Sequence, residues 1–120
     1  NAFKAMSADR AGAAMVLTDP MFLTYRKRLV DLAAQNRIPT MYPISEYATV
    51  GGLMFYGANF PEMYRRAAAF VDKILKGAKA AELPVEQATK FELVINLQAA
   101  KQIGLTIPPN VLARADRVIR

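Results

Sequence analysis

The chain has 120 residues, of which 53% are hydrophobic and 22% charged, with a formal net charge of +6. That is the composition of one globular domain long enough to bury a real core. Cysteine and histidine are both absent, which excludes disulfides, thiol catalysis, zinc sites of the usual kind and a Ser-His-Asp arrangement. No apolar run approaches the roughly 20 residues of a membrane span. The opening NAFKAMSADR also lacks the apolar stretch of a signal peptide.

The basic excess favours acidic partners in principle. Its one dense cluster is Arg26, Lys27 and Arg28. Successive helical positions splay around a helix and form no flat stripe, and no aromatic ladder, helix-turn-helix, finger or RNA-binding signature accompanies them. The cluster reads as a solvated helix face, and no nucleic-acid partner is expected.

In chain order, Phe3 to Ser7 reads as the tail of a helix, followed by a turn at 9–12. Ala13 to Leu17 is a continuous apolar run, as expected of a central parallel strand buried on both faces. Asp19 is placed as an N-cap and Pro20 as the first residue of a helix. Phe22, Tyr25, Leu29, Leu32 and Ala33 give that helix a buried face, Lys27 and Asp31 pair on its outside, and it ends near Asn36. Ile38 to Tyr42 is a short strand whose Pro39 belongs at its start, and 44–48 is a short helical turn or loop.

Residues 51–96, GGLMFYGANFPEMYRRAAAFVDKILKGAKAAELPVEQATKFELVIN, hold strand, helix and strand signals in one run. LeuMetPheTyr at 53–56 is strand-like and bracketed by Gly51, Gly52 and Gly57. Asn59 caps a helix with Pro61 in its first turn and Glu62 at its third residue, and Gly77 terminates it. Phe60, Met63, Tyr64, Ala67, Val71, Ile74 and Leu75 recur at helical spacing. PheGluLeuValIle at 91–95 reads as a buried strand. Asn96 caps a short helix stopped by Gly104, and ThrIleProPro at 106–109 starts a last helix with Val111, Leu112, Ala115, Val118 and Ile119 on one side. These alternating elements predict an α/β fold of three layers, a mainly parallel sheet flanked by helices with right-handed crossovers.

The segments GGLMFYG at 51–57, YRRAAAFVDKILKGAKAAELPVEQ at 64–87 and KFELVINLQAAKQIGLTIPPNVLARADRVI at 90–119 resemble the C-terminal portion of the ABC transporter substrate-binding proteins related to tryptophan- and tyrosine-type binding proteins. The resemblance implies the type I periplasmic binding fold, two doubly wound lobes with a small ligand between them, of which this chain is an incomplete lobe. It implies that 1–57 belongs to the C-terminal lobe and runs up to the hinge, that 58–90 is a helix and connection packing on the N-terminal lobe, and that 91–120 is the return strand with the C-terminal helices. Gly51, Gly52 and Gly57 are then hinge residues.

In sheets of this kind ligands sit outside the carboxyl ends of the strands, near helix N-termini. The candidate ligand contacts are therefore Asp19, Pro20 and Met21 after the first strand, Tyr42 and Glu46 at and after the second, and Tyr56 in the third. Asp19 either only caps its helix or also holds a ligand ammonium group, since capping leaves one oxygen available. The resemblance supports the second role, because the family's second-lobe contact falls in this turn, but Pro20 and Met21 replace the polar residues that amino-acid-binding relatives carry there. Tyr42 and Tyr56 suit an aromatic wall. Gly51 and Gly52 lack the further glycines, lysine and hydroxyl of a phosphate loop.

The function this implies is non-enzymatic: a solute-binding component of an ABC transporter, periplasmic, or extracytoplasmic and lipid-anchored if the source is Gram-positive, that delivers a small molecule to a permease. The solute is an amino acid or similar molecule, aromatic ones included. No catalytic residue, metal or cofactor is expected. A homodimer through the apolar face of the helix at 60–76 is expected. Two alternatives stay open at this point. One is a free-standing metal-dependent enzyme or receiver-like domain with Mg²⁺ held by Asp19 and Glu46. The other is the ligand-sensing domain of a transcription regulator.

Overall fold

The computed structural model describes residues 2–120. In chain order they form α1 (Ala2–Ala8), β1 (Ala14–Met15), α2 (Pro20–Thr24), α3 (Arg26–Gln35), β2 (Thr40–Tyr42), α4 (Glu46–Thr49) and β3 (Met54–Ala58). Then follow α5 (Phe60–Leu75), a 3-10 turn at Ala80–Glu82, β4 (Phe91–Asn96), α6 (Leu97–Gln102), α7 (Pro109–Leu112) and β5 (Arg117–Ile119). The five strands make one sheet in the order β1-β2-β3-β4-β5. The chain divides into two compact units, one running to Gly57 and resuming over Glu92–Arg120, the other Ala58–Phe91.

In the first unit, β1, β2 and β3 are parallel, with Ala14 opposite Thr40, Met15 opposite Met41, Met41 opposite Met54 and Tyr42 opposite Phe55. Parallel neighbours need a crossover, and here α2 with α3, then α4, supply it. β5 runs parallel to β4, with Val94 opposite Arg117 and Asn96 opposite Ile119. Between the two groups lies an antiparallel seam. The Asn96 N–H donates to the Leu53 carbonyl before β3 (2.8 Å), and the Asn59 N–H after β3 donates to the Lys90 carbonyl before β4 (3.1 Å). The sheet is therefore mixed, an α/β arrangement in which the chain leaves along β3 and returns beside it along β4.

The core sits on one face of the first three strands. Phe3 of α1 packs with Ala33 and Ile38, joined by Met6, Ala14, Leu29 and Leu32. Ala48, Phe55 and Val94 form a second cluster with Ile119 against it. Period-two alternation explains the selection, since Thr40, Tyr42 and Phe55 point to the helices and are buried while Met41, Met54 and Tyr56 do not.

The structure departs from the sequence reading in three places. The Ala13–Leu17 run is not a central strand, because β1 is the edge of the sheet, with Met15 63% and Leu17 69% exposed. The helix after Asp19 is broken at Tyr25, which is exposed instead of buried. Side chains compete for the backbone there: Thr24 Oγ1 donates to the Pro20 carbonyl (3.0 Å) and Arg26 Nη1 to the Leu23 carbonyl (3.1 Å). The last segment is a short helix and then strand β5, where a helix through Ile119 was expected. Asp116 fixes that strand's register, its N–H donating to the Leu93 carbonyl (2.9 Å) and its Oδ2 accepting from the Leu93 N–H (2.8 Å). Beyond it the β-branched Val118 and Ile119 pair with β4.

In the second unit Asn59 caps α5 as expected, its Oδ1 accepting from the Glu62 N–H (2.8 Å). Gly77 ends the helix at φ +100°. Arg66 ties the 84–90 connection to α5 through Thr89 (3.3 Å) and Glu86 (3.7 Å). No described residue of α5 is buried.

Gly57 is the glycine this fold most strictly requires. A Cβ there would lie 2.5 Å from the Pro43 carbonyl oxygen and 2.9 Å from the Phe55 ring. Gly57→Ala is expected to cost about 1–3 kcal/mol through overpacking, read as a lowered urea midpoint. An unchanged midpoint would mean that β3 does not approach Pro43 so closely.

Candidate functional site

Because β1, β2 and β3 are parallel, their carboxyl ends lie at one end of the sheet. The turns at Thr18–Met21 and Pro43–Glu46 and the part of β3 that runs past its last β2 pair, Tyr56 and Gly57, therefore lie on the same side. Strand spacing of about 4.8 Å sets the first and third roughly 10 Å apart.

Asp19 is exposed at the mouth of this edge. Its extended backbone (φ −152°, ψ 135°) ends β1's run and begins α2, and its Oδ1 accepts from the Met21 N–H (2.8 Å) and, at 3.4 Å, the Phe22 N–H. One oxygen thus does the capping, leaving Oδ2 for another donor. Pro20 takes the first helical position and Met21 is exposed beside it. Glu46 opens α4 with its carboxylate exposed and Ser45 Oγ at 3.4 Å from its Oε2. Tyr56, 54% exposed, faces away from the buried Phe55.

Tyr42 departs from its expected role. It is 2% exposed and stacked on Tyr47, ring centroids 4.6 Å apart and planes 16° from parallel. It is a core residue supporting the site from beneath. Burial pushes its phenol up to about 12, against which a side-chain hydrogen bond with Thr40 works.

Tyr47, which sequence reasoning passed over, is 1% exposed. Burial raises its pKa, Arg26 acting to lower it and Asp19 to raise it. The Asp19 turn, the start of α3 and α4 therefore share one electrostatic neighbourhood. The only signal in the sequence was the Tyr42–Tyr47 spacing across a turn, which does not announce a stack. Arg26 Nε is buried there without a hydrogen-bond partner among the described residues.

Of the expected hinge glycines, Gly57 lies where the chain leaves the first unit. Gly51 (φ +92°) and Gly52 close the turn after α4, where a Cβ on Gly52 would lie 2.8 Å from the Tyr47 carbonyl oxygen. Among the described residues no three of His, Cys, Asp and Glu gather where they could hold a metal. The Mg²⁺ reading therefore rests on Asp19 and Glu46 alone.

This arrangement presents a capped helix start, an exposed carboxylate and an exposed tyrosine at one end of a parallel sheet, which is the geometry of a binding edge. The family model for ABC transporter substrate binding proteins matches residues 1–119. The chain belongs to that family. Among solved structures it is similar to a conserved domain protein of Vibrio cholerae, with 29% identity and a TM-score of 0.87. It is also similar to an ABC domain from Streptococcus pneumoniae in complex with L-Trp, with 26% identity and a TM-score of 0.85. A third, the ligand-free, open form of a substrate-binding protein with adhesive properties from Clostridium difficile, has 20% identity and a TM-score of 0.69 and shows the fold alone. Each comparison covers 98% of this chain and 39% of the other. No curated protein matches.

The aromatic stack makes the fold sensitive to alkali. Tyr42 ionises near 10 when unfolded and about 12 when folded, so its contribution is complete below pH 10 and is lost as pH rises toward 12. Tyr42 alone accounts for a fall of about 2 kcal/mol over that interval. Urea titrations at pH 9, 10.5 and 11.5 are expected to show a shallower decline for Tyr42→Phe, which keeps the ring and removes the ionisable group. Equal slopes would contradict the burial of that phenol.

Proposed function

We propose that the chain forms one side of the ligand cleft of an ABC importer's solute-binding protein, acting by binding and without catalysis. The observation that carries this reading is the free oxygen of Asp19, held by its cap at the carboxyl edge of β1–β3. A fixed carboxylate in that position suits an ammonium group, so the solute is an amino acid or a similar small amine, aromatic ones included. The L-Trp bound by the pneumococcal relative supports that class. Tyr56 and Met21 supply apolar contact, Pro20 positions Met21, and Glu46 borders the mouth. Gly57, with Gly51 and Gly52 behind it, allows the change of backbone direction needed for closure.

We assign to the whole protein delivery to a permease and an extracytoplasmic location, a reading supported by its membership of the ABC transporter substrate-binding family. No helix of the described residues is long and apolar enough to cross a membrane. Since the chain spans 39% of its solved relatives, tight binding is assigned to the whole protein, and the 120 residues alone bind weakly or not at all.

The charge of Asp19 can be separated from its capping. Asp19→Asn retains an equally good cap and removes the charge. Calorimetry on the whole protein with L-tryptophan and other amino acids is expected to show affinity about 10-fold or more weaker for the variant, with the thermal midpoint nearly unchanged. Equal affinity would leave Asp19 as a cap only.

The second part of the proposal concerns α5. Met63, Tyr64, Val71 and Ile74 are exposed along it, and we assign this face to self-association of the 120-residue chain. Light scattering should give a dimer, and Val71→Glu with Ile74→Glu a monomer. A monomer for the unsubstituted chain at high concentration would overturn this.

A further inference from the structure

Arg26 carries a half-buried charge that no carboxylate among the described residues pairs with. Its Nε is buried without a hydrogen-bond partner among those residues. Its neighbours differ: Lys27 is paired with Asp31 on the outside of α3, and Arg28 is exposed to water. A cation left half-buried in this way costs free energy, because burial takes water from it and supplies no counter-charge. The guanidinium is held by the bond from Nη1 to the Leu23 carbonyl (3.1 Å), which leaves Nη2 for another acceptor.

The helix α2 sets where that charge stands. Asp19 caps its N-terminal end, and Arg26 binds a carbonyl near its C-terminal end. Five residues of helix are about 7.5 Å long, so a carboxylate and a guanidinium flank one short element. Both act on the same phenol. Beyond the effect of burial, which raises the Tyr47 pKa, Arg26 lowers it and Asp19 raises it. Tyr47 belongs to α4, directly after the turn that follows β2, so the two charges meet at the carboxyl edge of the sheet.

A lone amine seated on Asp19 would bring a second positive charge within reach of Arg26 and be repelled by it. A solute with a carboxylate beside its ammonium group turns that repulsion into attraction. At a separation of about 8 Å in a partly solvated site, one such charge changes affinity by about 5- to 30-fold. The other role open to Arg26 is purely structural, a cation tying off the last turn of α2.

We propose that Arg26 sets the charge type of the solute: its guanidinium draws the carboxylate of a zwitterion, so that amino acids are taken in preference to amines of the same size without the negative charge. This assignment rests on the reading of Asp19 as the ammonium contact. Arg26 is then a specificity-determining residue, supplying a distinction that Asp19 alone does not make.

Calorimetry on the whole protein at about pH 6, where α-amino groups are protonated, compares L-tryptophan with L-tryptophanamide, which keeps the ring, the ammonium group and the size. L-leucine and L-leucinamide serve as a second pair. Arg26→Gln, which keeps a donor for the Leu23 carbonyl, is expected to lower the acid-to-amide affinity ratio about 5-fold or more while the amide binds no more weakly than before. Arg26→Lys keeps the charge and is expected to hold the ratio within about 2-fold. An unchanged ratio in Arg26→Gln, or a collapse of the ratio in Arg26→Lys, would overturn the assignment. Asp19→Asn is expected to weaken acid and amide alike. Weakening of neither would remove Asp19 as the ammonium contact, whatever the Arg26 variants show, and binding of neither pair by the unsubstituted protein would overturn both readings.

Discussion

The constraint on which the rest depends is the shared direction of β1, β2 and β3. Parallel strands cannot be joined by a tight turn, so each pair needs a crossover, and here the crossovers pass over one face. That single fact gathers the core on the helical side and brings the Asp19 turn, the Pro43–Glu46 turn and the end of β3 to one edge. It also turns Met15, Met41 and Met54 to the opposite face, where Met15 is exposed and Met41 and Met54 are half-buried.

The antiparallel seam between β3 and β4 supplies the complementary constraint. The chain that leaves at Gly57 comes back at Glu92 beside it, so the first unit is completed by residues distant in sequence. Val94 packs with Ala48 and Phe55, and Ile95 is fully buried. Beneath the binding edge, the Tyr42–Tyr47 stack holds α4 against the tip of β2. The loops are thus short segments on a packed base, the kind of support that fixes side-chain geometry at an edge.

Much of the fold was legible because local chemistry announces it. Asp19, Asn59 and Asn96 are side-chain caps at the positions their identities suggested, and Gly77 and Gly104 end helices at positive φ. Local signals failed where tertiary context decides. Val118 and Ile119 fit a helix face as well as a strand, and only the open edge of β4 selects the strand. The apolar Ala13–Leu17 run reads as interior, yet β1 lies at the edge of the sheet, and hydrophobicity alone does not give a strand's place in the order. Tyr42 looked like a pocket wall at its strand end, but alternation turned it inward, where Tyr47 five residues on meets its ring. Asp19, Pro20, Met21, Glu46 and Tyr56 could be placed at one edge from strand order alone. Strand order sets that edge but does not rank these residues as contacts.

The most direct measurement of the central claim is residue-resolved NMR mapping of a saturating amino acid, with L-tryptophan first, on the whole protein. The account predicts that the largest amide shifts in this region fall at Thr18–Met21, Glu46 and Tyr56. Shifts confined instead to the opposite end of β1–β3, around Ala13, Ile38 and Leu53, would contradict it.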